Sequence, residues 1–232
     1  MRTGPGRVRL LVLLGQVGLR EIRTRATTGL HLSIFLGPLS TWLKWGVAGI
    51  PTSRIPFYPS RLDLLEHAAG CAGREGLWLE FGVWKGESIN HIAPFVPGPI
   101  YGFDSFEGLP ERWTPGWQRG SFSTGGIPPR SPGNVVFVKG LFGQTLRPFL
   151  DANQGRAAAF VHIDCDLYSS TRFVLEELSP RIVRGTVIVF DEYTGMMPDD
   201  EARAFREIVR SSRLRFRYLG CSASGSLAVE IL

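Results

Sequence analysis

Leu77-Trp78-Leu79-Glu80-Phe81-Gly82-Val83-Trp84-Lys85-Gly86-Glu87-Ser88 is the stretch on which the fold turns. Its first five residues are an apolar run of strand length. Two glycines then punctuate it before a helical pattern over Glu87–Phe95. A strand, a glycine turn and a helix in immediate succession open a βαβ unit. Glycine lets the backbone approach a ligand closely, and a helix start offers free N–H groups and a favourable dipole to an anion. A tight turn that binds nothing has the same spacing.

The pattern repeats outward from this turn. Ile100–Phe103, Val135–Val138, Ala159–Ile163 and Thr186–Phe190 read as further strands, and Ser170–Leu178 and Pro198–Ser212 as helices. Short apolar runs alternating with helices predict a parallel sheet buried on both faces. The ending differs, because only a short Gly/Ser loop separates Leu214–Leu219 from Ser226–Leu232. That is a hairpin, so one of the two strands runs antiparallel. The expectation is an α/β, seven-stranded, mostly parallel sheet with a C-terminal β-hairpin.

Upstream, Pro51 to Pro59 carries three prolines and reads as an extended connector. Ser60 then caps a helix in which Leu62, Leu65, Ala68 and Ala69 recur at helical spacing. The chain divides into an extension over 1–59 and a domain over 60–232. The net charge is +5, but residues 1–50 hold Arg2, Arg7, Arg9, Arg20, Arg23, Arg25 and Lys44 against Glu21 alone. A basic arm beside a near-neutral domain is not a nucleic-acid groove. Leu30–Ile50 is apolar but interrupted by His31, Pro38 and Lys44. Helices packed on the domain or on a second copy in a homo-oligomer, peripheral membrane contact, and a span or signal are all compatible with it. Cys71, Cys165 and Cys221 have neither paired nor metal-binding spacing, so a reducing, cytoplasmic setting is expected.

Two constellations carry chemistry. Asp104 follows the second strand in Tyr101-Gly102-Phe103-Asp104-Ser105, about 20 positions beyond the glycine turn, where an acid can accept from a ribose diol. An acid at a strand end is also a common turn former. Secondly, Asp164 and Asp166 follow the fourth strand, and Asp191 and Glu192 the fifth. Parallel neighbours lie about 4.8 Å apart, so adjacent tips gather these carboxylates, which repel one another unless a cation or proton intervenes. Oxygen donors select a hard ion, with magnesium the first choice. The bland alternative is two solvated acidic loops, with Asp166 capping the next helix.

Together EFGVWKGES, YGFDSFEGLPE, HIDCDLYSST and VIVFDEY resemble the macrocin O-methyltransferase family of class I methyltransferases, over roughly Leu77 to Tyr193. The resemblance implies a Rossmann-like fold with an N-terminal helical extension, S-adenosylmethionine as cofactor and a small hydroxylated substrate, a sugar or a phenol. It places Glu80, Gly82, Gly86 and Ser88 by the methionine part, Asp104 and Ser105 by the ribose, and Gly140 by the adenine. Phe142 is either beside the adenine or plain core. Asp164, Asp191 and Glu192 would ligate Mg2+. Related enzymes can carry Lys or His three residues after the first ligand, but Leu167 stands there. That leaves Asp166 as the candidate base and Asp164 as the second. His162 reads as structural, and Tyr168 either lines the pocket or packs. The loop from Glu107 to Asn134, with Trp113 and Trp117, reads as a substrate lid or an anchored surface loop. A nicotinamide-dependent oxidoreductase also uses an acid on ribose, but the terminal hairpin and the four acids argue against it. A noncatalytic, membrane-associated relative is the third reading.

Overall fold

β2 (Leu77–Phe81) is buried at every position, as are β5 (Ala158–Ile163) and β6 (Val187–Phe190). Such strands need cover on both faces, and this dictates three layers. Along β2, Leu77, Leu79 and Phe81 enter one core, while Trp78 enters the other. The first core takes Leu146 and Leu150 from α3 (Phe142–Ala152), Val174 and Leu178 from α4 (Tyr168–Leu178), and Phe205 from α5 (Asp200–Ser212). The second takes Leu64, Leu65 and Ala68 from α1 (Arg61–Cys71) and Ile89 and Ile92 from α2 (Glu87–Ile92).

The computed structural model describes Trp45, Ile50, residues 55–194 and residues 199–232. Readings of the basic arm therefore fall outside the described residues, apart from Trp45 and Ile50, as does the start of the helix expected from Pro198. A compact unit runs over Thr41–Leu232. Trp45 is fully buried in its core, where it stacks on Tyr193 and donates its indole N–H to the Ser222 carbonyl at 3.4 Å. Among the described residues no helix is long and apolar enough to cross a membrane.

The remaining strands are β1 (Phe57–Tyr58), β3 (Ile100–Asp104), β4 (Val135–Lys139), β7 (Phe216–Ser222) and β8 (Leu227–Ile231). The sheet order is β1-β7-β8-β6-β5-β2-β3-β4. From β6 to β4 the strands are parallel, and β8 is antiparallel to both β6 and β7, as the hairpin requires. Among the described residues the sheet has eight strands where seven were expected. The extra one, β1, pairs two residues with Cys221 and Ser222 at the sheet edge, bounded by Pro56 and Pro59. A proline-bounded dipeptide gives no alternation from which to read a strand. The sequence also hid α3, whose Gly143 and Pro148 are poor helix formers. Ser60 does cap α1, in a reciprocal box with Asp63.

The chain steps from β2 outward through β3 and β4, then returns to β5 on the other side of β2. The tips of β2 and β5 therefore flank a topological switch point, the usual ligand crevice of an open α/β sheet.

Candidate active site

Register decides what meets at that crevice. Phe81 lies opposite Ile163, and Ile163 opposite Phe190, so Gly82, Asp164 and Asp191 leave the sheet abreast. The Asp164 N–H donates to Phe81 O and the Asp191 N–H to Ile163 O, both at 2.9 Å, which holds the tips together. A cavity of about 490 Å³ opens above them. Gly82–Trp84, Ser88, Asp104, Ser105 and Gly140–Gln144 line one part of it, and Asp164–Asp166, Asp191 and Glu192 another. The cofactor candidates and the acids thus share one space, with the exceptions of Glu80 and Gly86.

Glu80 is fully buried beneath the turn and does not line the cavity. It stands opposite His162 in the β2–β5 register, on the α1/α2 side of the sheet. One carboxylate oxygen accepts from the Ser88 hydroxyl at 3.0 Å, and the other pairs with His162 Nδ1 at 3.0 Å. His162 Nε2 then faces Asp191 Oδ1 at 3.8 Å, an ion-pair separation that is too long for a hydrogen bond. Ser88, Glu80, His162 and Asp191 form a buried polar chain from the glycine turn to the acid cluster. His162 is structural in placement, as expected, yet it abuts the chemistry. Although burial opposes its charge, the flanking carboxylates of Asp191 and Glu80 raise its pKa to about 10.

Asp104 turns inward. Its Oδ2 accepts from the Val83 and Trp84 N–H groups, each at 2.8 Å, and its Oδ1 from the Phe106 N–H at 2.7 Å. Three of about four lone-pair positions are used, so at most one remains for a ribose hydroxyl. Gly86 sits at φ +79 as the N-cap of α2, and its Cβ would lie 2.8 Å from Pro129. Phe142 lines the cavity and also packs edge-on against Phe81 at 5.5 Å, which joins its two readings.

Asp164 and Asp191 are bridged by a residue the sequence reading missed. One guanidinium nitrogen of Arg61, the first residue of α1, donates to Asp191 Oδ2 at 3.0 Å and to Asp164 Oδ2 at 3.3 Å. The other pairs with Glu87. Burial would raise the Asp191 pKa, but His162 and Arg61 outweigh it and hold the group below its usual value. Asp164 moves well above its usual value through burial and then through the charge of Asp191. Asp166 and Glu192 are electrostatic neighbours. Burial and their acidic neighbours push them to about 7 and about 8. Glu201 is a second omission. It is buried and shifted well upward by desolvation, and its Oε2 accepts from the Glu192 N–H at 3.0 Å. In the sequence it reads only as a first-turn acid of α5.

His162, Asp164 and Asp191 each bring a ligand atom within 4.8 Å of the others, a grouping that could hold a metal ion. Asp191 Oδ1 and Glu192 Oε2 are buried without a hydrogen-bond partner. Hard oxygen donors with unspent acceptors fit a divalent cation.

Asp166 has φ +62, and the Leu167 N–H reaches back to the Cys165 carbonyl at 2.6 Å, closing a γ-turn. Such a turn is rare and strained, and its carboxyl is crowded as well. Its folded pKa of about 7 exceeds the unfolded value of about 4, so the folded state binds the proton more tightly. Stability therefore falls as pH climbs from about 4 through 7. Asparagine tolerates positive φ and carries no charge. In metal-free buffer, Asp166→Asn is expected to raise the melting temperature at pH 8 and to change it little at pH 4.

The two tryptophans of the long loop make different contacts. Trp113 donates its indole N–H to Asp200 Oδ2 at 3.1 Å and anchors the loop to α5. Trp117 stacks on Phe122 at 4.6 Å, and Phe122 meets Trp84 at the cavity mouth. Tyr168 packs: its hydroxyl binds Glu207, and Arg203 lies over its ring.

A three-layer domain with its cavity at the β2/β5 switch point and an antiparallel β8 beside β6 is a Rossmann-like methyltransferase fold. Residues 79–193 match the family described as a methyltransferase domain. Among solved structures it is similar to CalS11, a calicheamicin methyltransferase, at 20% identity over 99% of this chain and 94% of that one, with a TM-score of 0.53. It is also similar to the O-methyltransferase NovP, at 19% identity over 73% of this chain and 78% of that one, with a TM-score of 0.56. At these identities the likeness is one of fold. Among curated proteins none matches by sequence.

Proposed function

We propose that this chain transfers the methyl group of S-adenosylmethionine to a hydroxyl of a small molecule, a sugar or a phenol, with a magnesium ion at the β5 and β6 tips, as in macrocin-type O-methyltransferases. One observation carries the reading: the glycine turn, Asp104 and the four acids open into a single cavity. The cofactor supplies an electrophilic methyl on a sulfonium, and the metal supplies Lewis acidity toward the acceptor oxygen. The protein supplies position and a proton acceptor. The turn and Asp104 fix the donor, Asp164 and Asp191 hold the metal, and Glu192 contributes if its proton leaves. Asp166, near pKa 7, is poised to take the hydroxyl proton at neutral pH, as a general base requires. The aromatic mouth at Trp84 and Phe122, with Trp117 stacked on Phe122, suits the flat or ring-shaped face of such an acceptor. The arm over 1–50 is left as a candidate for membrane contact or for an interface between copies.

The test combines a panel of sugar and phenolic alcohols with mass detection of a gained methyl group. Methylation that stops when chelator removes Mg2+ supports the proposal, and binding of NAD in place of S-adenosylmethionine would count for the oxidoreductase reading. Asp104→Ala frees three backbone N–H groups and removes a charged acceptor. It is expected to weaken S-adenosylmethionine binding about 10- to 100-fold by calorimetry, the range for losing a charge-assisted hydrogen bond.

A further inference from the structure

Among the described residues lining the cavity, Arg61 is the one basic side chain. It projects from the first position of α1, a helix fixed by its Ser60 cap and by burial of Leu64, Leu65, Ala68 and Ala69. A single guanidinium nitrogen bridges the Oδ2 atoms of Asp164 and Asp191, at 3.3 and 3.0 Å. A divalent cation shared by the same two carboxylates would need that place, at about 2.1 Å from its oxygens. Two cations do not fit there, and the positive charge of one repels the other. Beneath the bridge, the fully buried His162 leaves Nε2 without a hydrogen bond and aimed at the equally unpartnered Asp191 Oδ1. Asp191 thus retains an acceptor oxygen that Arg61 does not use. Arg61 also has somewhere to go: its other nitrogen already pairs with Glu87, whose side chain is 65% exposed at the cavity wall.

We propose that Arg61 is a built-in counter-ion that competes with the divalent cation for Asp164 and Asp191. The pair is bridged by the guanidinium or by the metal, never by both, and metal entry moves Arg61 toward Glu87. This rests on the metal-assisted reading above. In the metal-free protein the bridge keeps two crowded carboxylates tolerable to the fold. It also lowers metal affinity below what the donor set alone would give.

The probe is Mn2+, whose free and bound forms are separated by electron paramagnetic resonance, with no turnover required. Arg61→Met in the full chain is expected to bind Mn2+ about tenfold more tightly than the wild type. Its metal-free melting temperature is expected to fall, and Mn2+ to restore it by a larger increment than in the wild type. Equal or weaker Mn2+ binding by Arg61→Met overturns the competition while leaving the metal reading intact. Absence of Mn2+ binding by either protein removes the metal reading and the competition with it. If Arg61→Met fails to fold by circular dichroism, Arg61→Lys serves instead, because its shorter ammonium cannot span both carboxylates and Glu87. It is expected to bind Mn2+ about threefold more tightly, and an unchanged affinity there also overturns the proposal.

Discussion

Asp191→Asn is expected to lower turnover by roughly a thousandfold while leaving S-adenosylmethionine affinity within about twofold. The substitution keeps the shape of the side chain and removes one charge. That charge is where three parts of the site converge: Arg61 at 3.0 Å, His162 at 3.8 Å, and the shared grouping with Asp164. Without it the proposed metal loses a formal anion and the His162 cation loses one of its two carboxylates. None of these contacts reaches Asp104, whose hydrogen bonds all go to the glycine turn and to Phe106. In the proposed reading, cofactor grip and acceptor activation therefore separate by position, the one on β2 and β3 and the other on β5 and β6. Initial rates with mass detection, beside calorimetric titration of the cofactor, measure the two independently. An Asp191→Asn protein that loses cofactor affinity as severely as Asp104→Ala would show that the two regions act as one.

The layers of the fold were legible because they depend on local pattern. Apolar runs of strand length, helical spacing and a loop too short for a crossover are properties of neighbours in sequence. β1 and α3 escaped for the same reason in reverse, since a proline-bounded dipeptide and a helix holding Gly143 and Pro148 have no local signature. In the site, the sequence located the acids at adjacent strand tips, because parallel order and crossover length constrain where tips fall. It misplaced Glu80 beside the cofactor, because burial of that carboxylate depends on standing opposite His162 across the β2–β5 register. Arg61 lies 103 residues from Asp164 and 130 from Asp191, and nothing in Ser60-Arg61-Leu62-Asp63 beyond a helix cap hints at either. Asp104 was found but given both hydroxyls of a ribose, whereas the folded turn had already claimed most of its acceptors. Interactions set by register and by packing between distant elements are the ones a linear reading omits.

Gly82→Ala is expected to cost more than about 3 kcal/mol and, for a domain of this size, to lower the melting temperature by about 10 °C. Gly82 has φ +89, a conformation that penalises any Cβ, and a Cβ there would lie 1.7 Å from the Asp164 carbonyl oxygen. No rotamer relieves a backbone collision. The tips of β2 and β5 must part, which strains the bond from the Asp164 N–H to Phe81 O. Gly70→Ala is the matched control. It lies within α1 with nothing within 4 Å of its Cβ position, so it is expected to stabilise by about 0.5–1 kcal/mol. The glycine first read as room for a ligand is, in the fold, room for the neighbouring strand. Yet the consequence reaches the chemistry, because Asp164 is the residue displaced. Gly82→Ala is therefore expected to lose Mn2+ affinity even at temperatures where circular dichroism reports it folded. Native-like metal binding in that folded variant would show that the spacing of the two tips does not set the geometry of the acids.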